Sequence, residues 1–197
     1  MKEQWNNRFS TTEYFYGKEP NDFFKEEIDK LTVGKILCIA AGEGRNAVYA
    51  AKHGWDVHAI DYSEAGKQKA EKLAEENDVS INYQIEDVFN YSFQPNYYDV
   101  IVSVNFHFEE EVREHYNQKI IDSLKPDGRI ILQVFDKEQI EKNSGGPKDL
   151  KILYTLEDIV NSFYDLEFEL FTKENTTRFI DDIKKEASII RFVGKKV

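Results

Sequence analysis

The chain has 197 residues, 41% of them apolar and 14% aromatic, which is enough for one domain with a real core and too apolar for a disordered chain. Its formal net charge is −11, which argues against nucleic acid and anionic membrane as partners, because both demand a basic face. A single cysteine, Cys38, excludes an intramolecular disulfide, and no stretch reaches the about 18 apolar residues of a membrane span.

Residues 1–20 hold Trp5, Phe9, Tyr14, Phe15 and Tyr16 in a polar segment with no helical or strand period. Aromatics that dense cover something, either as a lid over a site or as a clasp on the domain body. Pro20-Asn21-Asp22 starts a helix predicted over Phe23–Leu31. Lys35–Ala40 is short, apolar and β-branched, as a strand buried on both faces should be. Ala41-Gly42-Glu43-Gly44 is a turn, followed by a helix over Arg45–His53 that Gly54 closes. The second strand is predicted over Trp55–Ile60 and ends at Asp61. A helix capped by Ser63 runs to about Asn77. Strands over Val79–Ile85 and Tyr98–Val104 follow, then a helix over Glu109–Leu124. Lys125-Pro126-Asp127-Gly128 has turn chemistry and precedes a strand over Arg129–Phe135. Asn143–Lys148 is a Gly/Pro-rich loop, and Thr155 with Asp158 opens a short helix over Leu156–Ser162. Two last strands, Phe163–Thr172 and Ala187–Val193, are joined without a helix.

This alternation predicts an α/β fold: a doubly wound, mostly parallel seven-stranded sheet with helices on both faces. The helix-free connection at the end predicts an antiparallel C-terminal hairpin. The expected organisation is one domain over 1–197. It comprises an aromatic arm and helix at 1–31, a cofactor-binding half at 35–136 and a substrate-side half at 137–197.

Open sheets of this kind bind ligands at the carboxyl ends of their strands. Gly42-Glu43-Gly44-Arg45-Asn46-Ala47 satisfies the Rossmann-like pattern G-x-G-x-x-G/A, and Asp61 follows at the distance that suits a ribose hydroxyl pair. The helix N-terminus beyond the turn offers free N–H groups and a partial positive charge. By itself this pattern leaves nicotinamide dinucleotides and other adenosine ligands open.

The Gly-x-Gly turn, Asp61 after the second strand, Asp87 after the third, Leu124-Lys125-Pro126-Asp127-Gly128 and the terminal hairpin together resemble the class I S-adenosylmethionine-dependent methyltransferases. The resemblance is closest to the tellurite-resistance-type subgroup. It is carried by Trp5-Asn6-x-Arg8-Phe9, Tyr14-x-Tyr16-Gly17-x-Glu19-Pro20-Asn21, Ala41 through Ala51, Ser144-Gly145-Gly146-Pro147-Lys148-Asp149 and Ile190-Arg191-Phe192-Val193-Gly194.

The resemblance implies a cofactor, S-adenosyl-L-methionine, and a set of roles. Ala40, Ala41, Gly42, Glu43, Gly44 and Asn46 would surround its methionine part, with Arg45 reaching the carboxylate. Asp61 would accept from the ribose hydroxyls, and Tyr62 would lie against the adenine. Asp87 would accept from the adenine amino group, and the Val88 N–H would bind a ring nitrogen. Val104 and Asn105 would face the sulfonium and the acceptor. Two departures stand out. Many relatives carry an acid where this chain has Ala40, so the methionine amino group needs another partner. Relatives often have Glu-Gly and His before the last strand, where this chain reads Phe179-Ile180-Asp181-Asp182-Ile183-Lys184-Lys185.

His107 follows the fourth strand at the site mouth, in Asn105-Phe106-His107-Phe108, and reads either as a general base, which its ordinary pKa range suits, or as a structural turn histidine. Arg8, Tyr14 and Tyr16 are lid candidates, and Lys148 would meet an anionic acceptor. Cys38 reads as core rather than nucleophile, and the four histidines show no metal-ligand spacing. The expected function is methyl transfer to a small-molecule acceptor, by a cytoplasmic monomer or homodimer without metal. A non-catalytic cofactor-binding protein and a nicotinamide-dependent oxidoreductase are the alternatives.

Overall fold

The structure, a computed structural model, describes residues 2–180 and 183–197, with backbone alone for 178–180 and 183. Seven strands form one sheet: β1 Lys35–Ile39, β2 Asp56–Asp61, β3 Asn82–Ile85, β4 Tyr98–Val104, β5 Leu124–Phe135, β6 Leu166–Ile180 and β7 Ile183–Lys196. Their order is β3-β2-β1-β4-β5-β7-β6. Strands β1 to β5 pair in parallel, and β7 enters antiparallel between β5 and β6. The expected sheet and terminal hairpin are therefore present. The chain order reverses between β1 and β4, and this is where an open α/β sheet leaves a crevice.

Strand β1 shows why the helices lie on both faces. Leu37 and Ile39 join one buried cluster with Tyr116, Ile120, Ile159 and Phe163. Ile36 and Cys38 join a second with Phe23, Phe24, Ala47, Ala50 and Ala70. Alternate side chains point to opposite faces, so both must be apolar. The first layer holds α5 (Glu110–Ser123) and α6 (Leu156–Phe163), and the second holds α2 (Asp22–Ile28), α3 (Arg45–Lys52) and α4 (Glu64–Glu75).

Several expected boundaries shift for local reasons. Residues 2–9 form a helix, α1 Lys2–Phe9, although they lack an apolar period. The helix gains its stability by docking: Asn6 Oδ1 accepts from Ser63 Oγ and from the Ala65 N–H, capping the N-terminus of α4. Strand β3 begins at Asn82 rather than Val79, because Asp78 turns left-handed and the Val79 N–H donates to Ala74 O. Strand β5 begins at Leu124, with the Lys125–Gly128 turn taken up as a bulge opposite Tyr98–Val100 and Asp127 at φ +63°. Strands β6 and β7 run longer at both inner ends than their apolar cores suggest, pairing from Leu166↔Lys196 to Ile180↔Ile183. Of the Phe179–Lys185 stretch that departs from the relatives, Asp181 and Asp182 lie outside the described residues.

Candidate functional site

The carboxyl end of β1 turns sharply. Ala40 and Gly42 have φ of +50° and +54°, and Gly44 has φ +85°. Gly44 opens α3, and a Cβ there would stand 2.5 Å from Ala70 Cβ, so only glycine lets α3 start this close to α4. The turn is fixed on both sides: Tyr83 Oη donates to Gly42 O at 2.7 Å, and the Gly42 N–H donates to Asp61 Oδ2 at 3.0 Å.

Asp61 ends β2 and is only 7% exposed. Its second oxygen accepts from the Ser63 N–H at 2.8 Å. Burial raises its pKa, and the backbone N–H groups of Ser63, Gly42 and Tyr62 oppose that rise. The neighbouring Tyr62 is half-buried, and desolvation with the Asp61 and Asp87 charges pushes its phenol up to about 12.

Beside this turn opens a cavity of about 510 Å³, within the range of small-molecule sites. It brings together Ala40 through Glu43, Arg45, Asn46, Asp61, Tyr62, Val88, Val104, Asn105 and His107, with Arg8, Tyr16 and Lys148 from other elements. Three expected residues, Gly44, Asp87 and Tyr14, stay outside its lining, and Gly44 faces Ala70. Asp87 is exposed, and its Oδ1 caps the Phe89 N–H at 3.0 Å. Tyr14 packs beside Val48, Leu73 and Ala74 and donates to Lys69 O at 2.9 Å, so it clasps the arm onto α4 rather than covering the cavity.

Ala40 stands where the resemblance places an acid. It is a left-handed backbone corner, and of β1 itself Ile39 and Cys38 line the cavity. Burial pushes the Cys38 thiol up to about 12, as befits a core residue.

The wall opposite Asp61 starts at Asn105, which also sits left-handed, at φ +58°. His107 Nδ1 lies 2.9 Å from Asn105 O, and the Phe135 N–H donates to His107 Nε2 at 2.9 Å. These partners assign the proton to Nδ1, so both ring nitrogens are engaged. The ring stacks on Phe135, and burial lowers its pKa to about 4 despite the Asn105 carbonyl. His107 thus pins the end of β4 to the end of β5 and offers no lone pair to a ligand. The general-base expectation is corrected on that ground.

The arm closes another side. Trp5, Arg8, Phe9 and Tyr16 line the cavity. Phe9 is buried against the turn, where a Cβ on Gly42 would meet its ring at 3.2 Å. Glu43, in the turn itself, fastens the arm: Lys69 Nζ donates to its Oε1 at 2.7 Å and the Tyr16 N–H to its Oε2 at 3.4 Å. Arg45 Nη1 donates to Tyr16 O, and Asn46 Oδ1 accepts from the Asn21 N–H. Glu43, Arg45 and Asn46 therefore tie the arm and α2 to the turn.

The last side is the Asn143–Lys148 loop, held by a residue that sequence reasoning missed. Gln139 is fully buried, donates to Ser144 Oγ and Gly145 O, and accepts from the Ser188 N–H. Its amide seats Gly146, Pro147 and Lys148 at the rim. Phe106, Phe135 and Ile152 complete the wall and were also not singled out; only Phe135, at a strand's carboxyl end, carried a positional signal.

A family model described as a methyltransferase domain matches residues 36–128, which runs from β1 into the β5 bulge and includes the turn, Asp61 and Asn105. Over that stretch, a little under half of the chain, the sequence is similar to methyltransferase domains. Among curated proteins it is similar to the 2-heptyl-1-hydroxyquinolin-4(1H)-one methyltransferase of Mycobacteroides abscessus, 26% identical over 68% of this chain and 60% of the relative. It is also similar to the ubiquinone biosynthesis O-methyltransferase of Rickettsia felis, 26% identical over 56% of this chain and 44% of the relative. The chain thus spans less than two-thirds of the length of either relative. TehB from Haemophilus influenzae superposes on the whole chain and 67% of its own, with TM-score 0.75 and 16% identity. The N-methyltransferase NodS from Bradyrhizobium japonicum, solved with S-adenosyl-L-homocysteine, covers 99% of this chain and 97% of its own, with TM-score 0.73 and 12% identity. At those identities the two structures share the fold. No helix among the described residues is long and apolar enough to cross a membrane.

Proposed function

We propose that the protein transfers a methyl group from S-adenosylmethionine to a small-molecule acceptor. One observation carries this reading: a single cavity joins the Gly42–Gly44 turn and Asp61 to the Asn105–His107 wall under an aromatic arm.

The residues present fit the cofactor. Gly42 brings bare backbone to the cavity wall, and Asp61 is a buried acceptor with lone pairs beyond its backbone bonds. When bound, the cofactor supplies a methyl group already activated on a sulfonium sulfur. Asp61 would accept from both ribose hydroxyls, Tyr62 would cover the adenine, and the Val88 N–H would meet a ring nitrogen. The α3 N-terminus with Arg45 would hold the methionine carboxylate, while backbone carbonyls around Ala40 and Asn105 take its amino group. What the protein adds is alignment and exclusion of water, the latter by Trp5, Phe9 and Tyr16.

Mass-spectrometric detection of demethylated cofactor over a panel of thiols, oxyanions and small metabolites tests the proposal. Formation above the acceptor-free rate supports it. A protein that binds cofactor stoichiometrically and turns over no panel member is a binding protein instead. Cytoplasmic residence and a monomeric or homodimeric state are part of the same proposal, with light scattering as the check on the latter.

A further inference from the structure

We infer that the acceptor reaches the site as an anion, a thiolate or acidic oxyanion on a flat apolar body, and leaves as a neutral methylated product. The inference rests on the methyl-transfer reading above.

Charge balance is the first argument. The acceptor's lone pair forms the new bond to the methyl carbon, and the electron pair of the broken carbon–sulfur bond returns to sulfur, cancelling its positive charge. An anionic acceptor ends neutral and no proton is left over. A neutral O–H, S–H or N–H acceptor leaves a proton that a base must take.

Among the described residues lining the cavity, none is placed to take it. His107 has both nitrogens bound to backbone. Glu43 is committed to Lys69 and the Tyr16 N–H, and Asp61 to the Gly42 and Ser63 N–H groups on the cofactor side. Cys38 and Tyr62 are held protonated by burial.

The charges facing the acceptor are cationic. Lys148 Nζ donates one hydrogen bond, to Lys142 O at 2.8 Å, and keeps its other hydrogens. The Arg8 guanidinium lies over the rings of Trp5 and Phe15, 4.5 and 4.7 Å from their centroids, with no carboxylate partner among the described residues. Two such cations at one cavity oppose the sign of a chain whose net charge is −11. They favour an anion and disfavour an ammonium. Phe106, Phe135, Pro147 and Ile152 supply the apolar walls.

The test uses the full chain loaded with S-adenosylhomocysteine and titrated with 4-nitrophenol, whose phenolate absorbs visible light. The bound phenol should ionise with a midpoint about one pH unit lower than the free one. Lys148→Gln and Arg8→Gln should each weaken phenolate binding about threefold to fivefold. Lys148→Gln should leave calorimetric affinity for S-adenosylhomocysteine unchanged. With S-adenosylmethionine and para-substituted thiophenols, turnover against pH should follow each thiol's own ionisation. Binding of the neutral phenol, a common inflection near pH 6–7 for every acceptor, or preferred turnover of alkylamines overturns the inference. Failure to bind S-adenosylhomocysteine at all overturns the methyl-transfer reading itself, and calorimetry reads it separately.

Discussion

Replacing His107 separates a structural histidine from a catalytic one. His107→Phe keeps the ring and its stacking on Phe135 but removes two hydrogen bonds, stranding the Asn105 carbonyl and the Phe135 N–H. Each stranded group costs about 1–3 kcal/mol, with half-buried Asn105 at the low end, so the total is about 2–4 kcal/mol. At about 2–4 °C per kcal/mol for a chain of this size, Tm should fall by about 4–16 °C. His107→Gln can restore a donor and an acceptor and should recover at least half of the loss. The pH dependence follows from the same geometry. The folded-state pKa is lowered to about 4 from 6.5, so the unfolded chain takes up this proton first. Stability from His107 is complete above about pH 6.5 and is lost as pH falls toward 4. Because the ring is only half-buried by surface area, water screening trims that loss to about 1–2 kcal/mol. Denaturant unfolding of wild type and His107→Phe between pH 4 and 7.5 measures it. Their stability difference should shrink toward pH 4, and subtraction removes Asp61, whose raised pKa tilts the curve the opposite way. An unchanged Tm with a flat difference would falsify the assignment and return His107 to the candidate bases.

Other substitutions test other joints. Gly44→Ala forces a left-handed alanine against Ala70, and strain plus overpacking should cost about 2–5 kcal/mol by denaturant unfolding; an unaffected midpoint would mean that α3 and α4 do not meet there. Glu43→Gln breaks the ion pair to Lys69, so hydrogen exchange in α1 and through Tyr16 should speed up about tenfold while β1 and β4 stay protected. Equal exchange in both proteins would show that the arm is held by its aromatics alone. Gln139→Leu strands the Ser188 N–H and Gly145 O, and should cost about 2–4 kcal/mol with faster exchange confined to the 143–148 loop and its neighbours. A global rather than local increase in exchange would contradict its role as the loop's anchor.

The sheet was legible because β1 and β4 are apolar on both faces and the connections between the first five strands have helical length. The terminal hairpin was legible from what is missing between its strands. The turn and Asp61 could be placed because glycine at a strand's end and an acid at the next strand's end are local signals. The arm was not. Its helix has no apolar stripe and is held by Asn6 capping a helix nearly 60 residues away in sequence, which no local pattern encodes. His107 looked chemical because its residue type is chemical; only the positions of Asn105 O and Phe135 N reveal that its nitrogens are spent. Asp87 and Tyr14 fail to line the cavity for the same kind of reason, since a capped loop and a clasped arm consume their polar ends locally. Gln139 was invisible because a buried glutamine in a polar run looks like solvated surface until the loop folds over it.

Calorimetric titration with S-adenosylhomocysteine, on wild type and on Asp61→Ala and Asp61→Asn, tests the central claim most directly. Wild type should bind one equivalent. Loss of two charge-assisted hydrogen bonds, about 3 kcal/mol, should weaken Asp61→Ala at least about 100-fold, with Asp61→Asn between the two. Circular dichroism establishes that each variant is folded. No binding by folded wild type, or equal affinity in Asp61→Ala, would contradict the assignment of this cavity to S-adenosylmethionine.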